Sequence, residues 1–303
     1  MRHSHNAIAL LITVMFVIVL SVALGYGLQA LKSSAKVVEK EKFLYQSTLL
    51  VEDVLRVLKS SPEMKQLVDE NSTEALYIFL SESSYLPLEI GGIKVVLSFS
   101  SARSKYNPNH LYGRSSEIEA LQEYMQKYMV DALFVDILLD NMRVVTEKNR
   151  YDSYNSRIFD ENPELFREYI ASLQHLREIE HFYKVEYNND NINRIEFDKL
   201  FYFSKDRETR VDLNYATPEV WEMMLGVDPL RAEELSAGGG SYNTLEDLGL
   251  LESEKKSLKR FETSFYEPYL FVKMELMSDV GYSEISFEYD IKRKKGYGFV
   301  FKI

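Results

Sequence analysis

The chain has 303 residues, 46% of them hydrophobic, and a formal charge of −11. That is apolar material enough for one large core or two modest ones, and the acidic balance disfavours nucleic acid and anionic lipid, with no local basic patch standing out against it. Cysteine is absent, which excludes a disulfide framework, thiolate zinc sites and cysteine nucleophiles, and suits either side of a bacterial membrane.

From Ala7 to Leu24 no residue is charged. As a helix rising about 1.5 Å per residue this stretch spans roughly 27 Å, near the hydrocarbon thickness of a bilayer and longer than the apolar core usual for a signal peptide. Neither Gly nor Pro occurs from Leu28 to Ser61, and the first strong breaker is Pro62, so the helix is expected to continue past the membrane as a stalk. Leu28, Leu31, Ala35 and Val38 follow the alternating three and four spacing of a narrow helix seam, and Leu50, Val54, Val57 and Leu58 a wider stripe. Arg2 is the one sure cation before the span, whereas Lys32, Lys36, Lys40 and Lys42 follow it; the positive-inside rule alone would place the body in the cytoplasm.

Glu63 to Ser84 reads as short helices, with Ser72 or Thr73 before Glu74 as a start. In "EIGGIKVVLSFSS" the period changes to two: Ile93, Val95, Leu97 and Phe99 share one side of a half-buried strand. From Asn107 to about Phe261 the texture is helical. Ile118, Leu121, Tyr124, Met125, Tyr128, Met129, Ala132 and Leu133 recur at helical spacing, and Pro163 suits the first turn of a further helix. "EYNNDNINR" reads as a turn or loop. The period returns to two in "YLFVKMELM", "SEISFEYDIK" and "YGFVFKI", three strands of an antiparallel meander. The expected fold class is α+β: a long N-terminal helix packed on an antiparallel sheet of about four strands, with a large all-α domain inserted between the first and second strands.

That arrangement resembles the type IV pilin-like fold. Within the insertion, Val211 to Val220 ("VDLNYATPEV") and "GGGSYNTLEDLGLL" are similar to the K-type minor pseudopilins of type II secretion, the GspK family. Its I-N-V-N-T-A-P-P-E-V-L segment is met here with Asp212 in place of the first asparagine and Tyr215 in place of the threonine before alanine, while Asn214, Ala216, Thr217 and Pro218 hold the rest of the turn. "KYNPNHL", with Asn107 and Asn109, resembles the family's K-I-N-L-N-x-L. "FVDILLDNM", with Asp140, resembles its L-L-D-W-I-D, without the tryptophan and second acid.

The resemblance implies a leader over 1–7, cleaved by prepilin peptidase between Ala7 and Ile8, with Ala7 where the family has glycine. It implies a transmembrane and stalk helix over 8–61, a pseudopilin α/β domain from 62–106 and 262–303, and an inserted helical domain over 107–261, helix-hairpin-helix-like over 206–255. Mature position five would be Ile12, where major pilins carry glutamate. A buried charge needs a partner, so a subunit lacking that carboxylate suits the first place in a fibre. The implied function is a non-enzymatic, tip-forming minor pseudopilin, single-pass in the inner membrane with a periplasmic body. Its partners would be I- and J-type minor pseudopilins through the Leu28, Leu31, Ala35, Val38 seam, together with prepilin peptidase and either secretion substrates or the outer-membrane secretin. Two other roles remain open: a tip pilin or adhesin of a type IV pilus, and a membrane-anchored DNA-uptake protein.

The local chemistry points the same way. Thr217 can cap a helix with Pro218 in its first turn, and Asp212 or Asn214 can close an Asx turn. Between Val211 and Leu250 eight acids stand against Arg231 alone, the wrong sign for phosphate contact, so no nucleic acid is expected. "AGGGS" lacks the Lys-Ser/Thr of a phosphate loop. His175 and His181, six apart, do not align on a helix face for zinc. Calcium is the ion that the resemblance implies, with acid and amide clusters such as "NNDN" (Asn188 to Asn191) as hard-oxygen sources but no ligand set assigned. No nucleophile, base and acid constellation is recognisable.

Overall fold

The computed structural model describes residues 38–39, 41–70, 72–90, 92–143, 157–279 and 281–302. The expected membrane span, the Ala7–Ile8 junction and the seam residues Leu28, Leu31 and Ala35 lie outside them. Among the described residues no helix is long and apolar enough to cross a membrane.

The first helix, α1 (41–60, with 38–39 also helical), buries Phe43, Ser47, Leu50, Val51 and Leu58, the recurrence that puts one face on a sheet. It ends at Ser61, whose Oγ accepts from Met64 N (3.3 Å), and Pro62 opens α2 (Pro62–Glu70). Ser72 caps α3 (Thr73–Glu82), its side chain accepting from Ala75 N.

The sheet has five antiparallel strands in the order β1 (Leu86–Ile90), β2 (Ile93–Ser101), β5 (Tyr269–Ser278), β6 (Gly281–Asp290), β7 (Lys295–Lys302). Val95, Leu97, Leu270, Val272, Met274, Leu276, Ile285 and Phe287 face inward and pack on α1, α2 and α3. Along α1, Phe43 meets Gly281 and Leu55 meets Gly296, so the helix lies across β6 and reaches the edge of β7.

The expectation of about four strands is corrected by β1, so the insertion falls between the second and third strands. β1 escapes a period-based reading because it is an edge strand exposed on both sides and contains Pro87, which an edge tolerates because one row of its backbone groups has no partner strand.

The chain leaves the sheet at Ser101 and returns at Tyr269. Between them lie α4 (Ser115–Lys127), α5 (Leu133–Asn141), α6 (Ile158–Glu161), α7 (Leu173–Tyr187), α8 (Phe197–Leu200), β3 (Val211–Asp212), α9 (Pro218–Leu225), α10 (Pro229–Ala237), α11 (Glu252–Leu258) and β4 (Thr263–Ser264). Their core is separate from that of the sheet and includes Phe134, Tyr183, Phe201 and Trp221.

Three further expectations are corrected. The periodic run through Leu133 is broken at 128–132: Met129 takes φ +61°, its carbonyl accepts from Asn189 (3.0 Å), and Asp131 N–H donates to the Tyr183 hydroxyl (2.9 Å), so α7 and the turn that follows it hold the break. Pro163 starts no helix. Its segment is tied down elsewhere, Glu168 N–H by Asn141 O (3.0 Å) and Ile170 N–H by Asn109 Oδ1 (2.7 Å), and α7 starts instead after Ser172, whose side chain accepts from His175 N. The block is not wholly helical either, because β3 and β4 pair in parallel.

Candidate functional site

Two places carry the functional reading: the junction that fixes the inserted body on the sheet, and the outer face of α1. At the junction, Thr217 caps α9 through Val220 N and donates to Lys199 O (2.9 Å), with Pro218 in the first turn. Ala216 is buried, and its carbonyl accepts from Ser236 Oγ (3.0 Å).

Asn214 joins three segments. Its Oδ1 accepts from Gly240 N and Tyr242 N (both 2.9 Å), and its Nδ2 donates to Tyr242 O and Phe265 O (both 2.8 Å). This makes the glycine run a packing device. A Cβ on Gly239 would stand 2.2 Å from Asn214 O, and one on Gly240, at φ +86°, would stand 2.1 Å from the Tyr77 ring of α3.

Asp212 is fully buried and receives Asn214 N–H (3.0 Å) and Glu267 N–H (2.9 Å), while its own N–H donates to Arg103 O (2.9 Å). It therefore grips both strands of chain that connect body to sheet. Burial pushes its carboxyl up to about 7 despite those two hydrogen bonds. Arg103 completes the junction with a bidentate pair to Glu288 (2.7 Å each) and its guanidinium 4.0 Å from the centre of the Tyr269 ring. A cleft of about 280 Å³ lies beside it, lined by Tyr77, Phe99, Ser100, Ser104 and Tyr215.

The other motif residues are buried too. Asn107 Nδ2 donates to Ser204 O (3.1 Å) and Asp206 O (2.8 Å), and Asn109 Nδ2 to Ile170 O (3.0 Å). Asp140 sits at the end of α5, within electrostatic reach of Arg167. These groups pin the loop at 204–206 and the segment before α7 to the turn at Asn107.

Sequence reasoning missed a second buried polar cluster. The Tyr106 hydroxyl donates to Glu117, His110 Nε2 lies 3.4 Å from Glu117 Oε1, and His110 Nδ1 meets Arg207 O. It also missed Arg103, which reads in sequence as an ordinary polar strand end, and a basic turn: Lys292, Arg293, Lys294 and Lys295 are all exposed, correcting the expectation that no local basic patch exists. The signal was in plain view as four consecutive cations, masked by the net charge.

Among the described residues no group of three or more His, Asp or Glu stands close enough to hold a metal ion. In the "NNDN" stretch Asn188 ends α7 in the left-handed region. Asn189 caps a 3-10 turn (Asp190–Arg194) and donates to Met129 O and Tyr183 Oη. In the acidic segment, Asp228 caps α10, Asp247 accepts from Asn243 N and Thr244 N (both 2.8 Å), and Arg231 is taken up by Glu234, Glu254 and Gly249 O.

On α1, Val38 is the one seam residue within the described structure, and it is 62% exposed. Steps of four, three and four lead from it to Lys42, Tyr45 and Leu49, with Tyr45 66% and Leu49 40% exposed on the side away from the sheet. Val38, Lys42, Tyr45 and Leu49 thus share the solvent side of the helix at heptad spacing.

No family model and no curated protein matches the sequence. A chain of the crystal structure of the GspK-GspI-GspJ complex from the enterotoxigenic Escherichia coli type 2 secretion system superposes with a TM-score of 0.56 at 10% identity, over 87% of this chain and 99% of that one. The fold is GspK-like. At that identity the likeness concerns architecture: a sheet on an N-terminal helix, opened by a helical body.

Proposed function

We propose that this chain is a K-type minor pseudopilin of type II secretion: a non-enzymatic subunit, anchored in the inner membrane by the apolar segment before residue 25, with its body in the periplasm at the tip of a pseudopilus. The observation that carries the reading is the GspK-like fold together with a stripe on α1 that leaves Val38, Tyr45 and Leu49 exposed around Lys42. A helix of another subunit laid along that stripe would bury it, and small and apolar residues at Leu28, Leu31 and Ala35 extend the contact toward the membrane. The matched structure is a complex with GspI and GspJ, which supports I- and J-type subunits as the partners. The body that interrupts the sheet adds bulk above the stalk, which suits a terminal rather than an internal place in a fibre.

The test is photo-crosslinking in cells from a reactive residue at Tyr45 or Leu49. Adducts with other minor pseudopilins, lost when the reactive residue sits instead at Glu233 on the inserted body, support the reading. Adducts absent from the stalk positions count against it.

A further inference from the structure

The two edges of the sheet are unlike. β1 is five residues long and carries Pro87, which blunts it against pairing. β7 is eight residues long, has no proline, and among the described residues has no strand on its outer side. Four of its apolar side chains are exposed, two on each face. Phe301 lies opposite the inward Ile285, and Phe299 stacks on Phe287 with ring centres 4.9 Å apart; Val300 lies opposite Ser286 and Tyr297 opposite Glu288 on the other face. A bulge at Gly298, φ +62°, allows the Phe299 stacking. An added strand would find apolar neighbours above and below it.

The turn that opens β7 is Lys292–Arg293–Lys294–Lys295. Arg293 meets Asp290 (3.7 Å) and Lys292 lies over the Tyr266 ring, so the turn keeps most of its positive charge. The contact of Leu55 with Gly296 brings exposed Lys59, one turn further along α1, to the same end of the sheet. Lys302, at the other end of β7, is taken up by Glu284 (2.6 Å).

We propose that β7 is a docking edge for an extended segment of another protein, apolar in its middle and acidic where it passes the 292–295 turn. Main-chain pairing supplies the affinity, and the basic turn fixes direction and partner. Charge argues against a second copy as occupant: parallel pairing of two β7 strands sets turn against turn, and antiparallel pairing brings Lys302, already ion-paired to Glu284 (2.6 Å), rather than an acid to the turn. A nucleic acid is disfavoured by the net charge of −11 and makes no use of the edge. The proposal does not depend on the pseudopilin reading.

The experiment measures fluorescence anisotropy of synthetic peptides against the full chain in detergent. The probe alternates valine and threonine and ends in aspartates. One control ends in lysines; two others are N-methylated at alternate residues, each along one edge. Binding by the aspartate peptide, weakened about tenfold by Lys292→Glu with Lys294→Glu and by salt, lost on methylation of one edge but not the other, and absent for the lysine peptide, is the expected result. No binding, equal binding of aspartate and lysine peptides, or indifference to N-methylation overturns the proposal. So does tighter binding of short duplex DNA than of the aspartate peptide, or a dimer of the full chain that Val300→Lys dissociates.

Discussion

Substituting Asp212 by Asn probes the junction through its pH dependence. The Asp212 carboxyl, ordinarily near 3.8, is pushed up to about 7 by burial. The folded state therefore holds a proton that the unfolded chain has lost between those values, so stability falls as pH rises from about 4 to 7 and is level above. Each pH unit in that window is worth about 1.4 kcal/mol, so wild type loses about 3 kcal/mol between pH 5 and pH 8 through this group. Asn cannot ionise, and one of its two polar atoms is a donor facing a backbone N–H, at Glu267 or Asn214, where either oxygen of the protonated carboxyl still has a lone pair to accept it. The variant is therefore weaker than wild type at pH 5 and gains about 3 kcal/mol relative to it at pH 8. Urea titration of the full chain, followed by the fluorescence of its single tryptophan, Trp221, buried in the inserted body, reads this difference. Taking wild type minus variant at each pH cancels the titration of groups that do not feel Asp212; Glu267, whose carboxyl burial also raises and whose charge acts on Asp212, stays in the difference through that coupling. A difference that does not change with pH would refute the placement of a dry carboxyl at the junction.

Replacing Asn214 by Ala strands two N–H groups and two carbonyls at once, and at about 1 kcal/mol or more each the same titration is expected to show a loss of at least roughly 4 kcal/mol; a loss under about 1 kcal/mol contradicts the hub. Gly240→Ala is expected to cost about 1–3 kcal/mol from its φ of +86° and its collision with Tyr77. In a double-mutant cycle Tyr77→Ala restores only the collision part, and full restoration would show that the backbone angle costs nothing. Arg103→Lys keeps the charge but loses the paired hydrogen bonds to Glu288, and faster hydrogen exchange at Phe265 to Tyr269 is expected, with unchanged exchange in α4 and α5.

Local chemistry was legible wherever it decided the structure. Ser72, Thr217 and Pro218 cap helices where their residue types suggest, because a cap needs partners only two or three residues away. The alternation through β5 and β6 survived because one face is buried throughout. β1 was illegible because an edge exposed on both sides has no alternation to show. The break at Met129 depends on Asn189 and Tyr183, some sixty and fifty residues on, and a helical period cannot register contacts at that distance. Asn214 reads as an Asx-turn residue, yet its four hydrogen bonds reach 26 to 51 residues along the chain. The glycine run likewise reads as a loop, whereas its small size is set by Asn214 and Tyr77.

The pseudopilin account rests on a subunit that is processed before it assembles. Mass spectrometry of the mature protein's N-terminus, taken from cells that carry the type II apparatus, tests it most directly. The account predicts a chain beginning at Ile8, with the Ala7→Lys variant retained uncleaved and unable to support secretion; a mature chain that still begins at Met1 in secreting cells would contradict it.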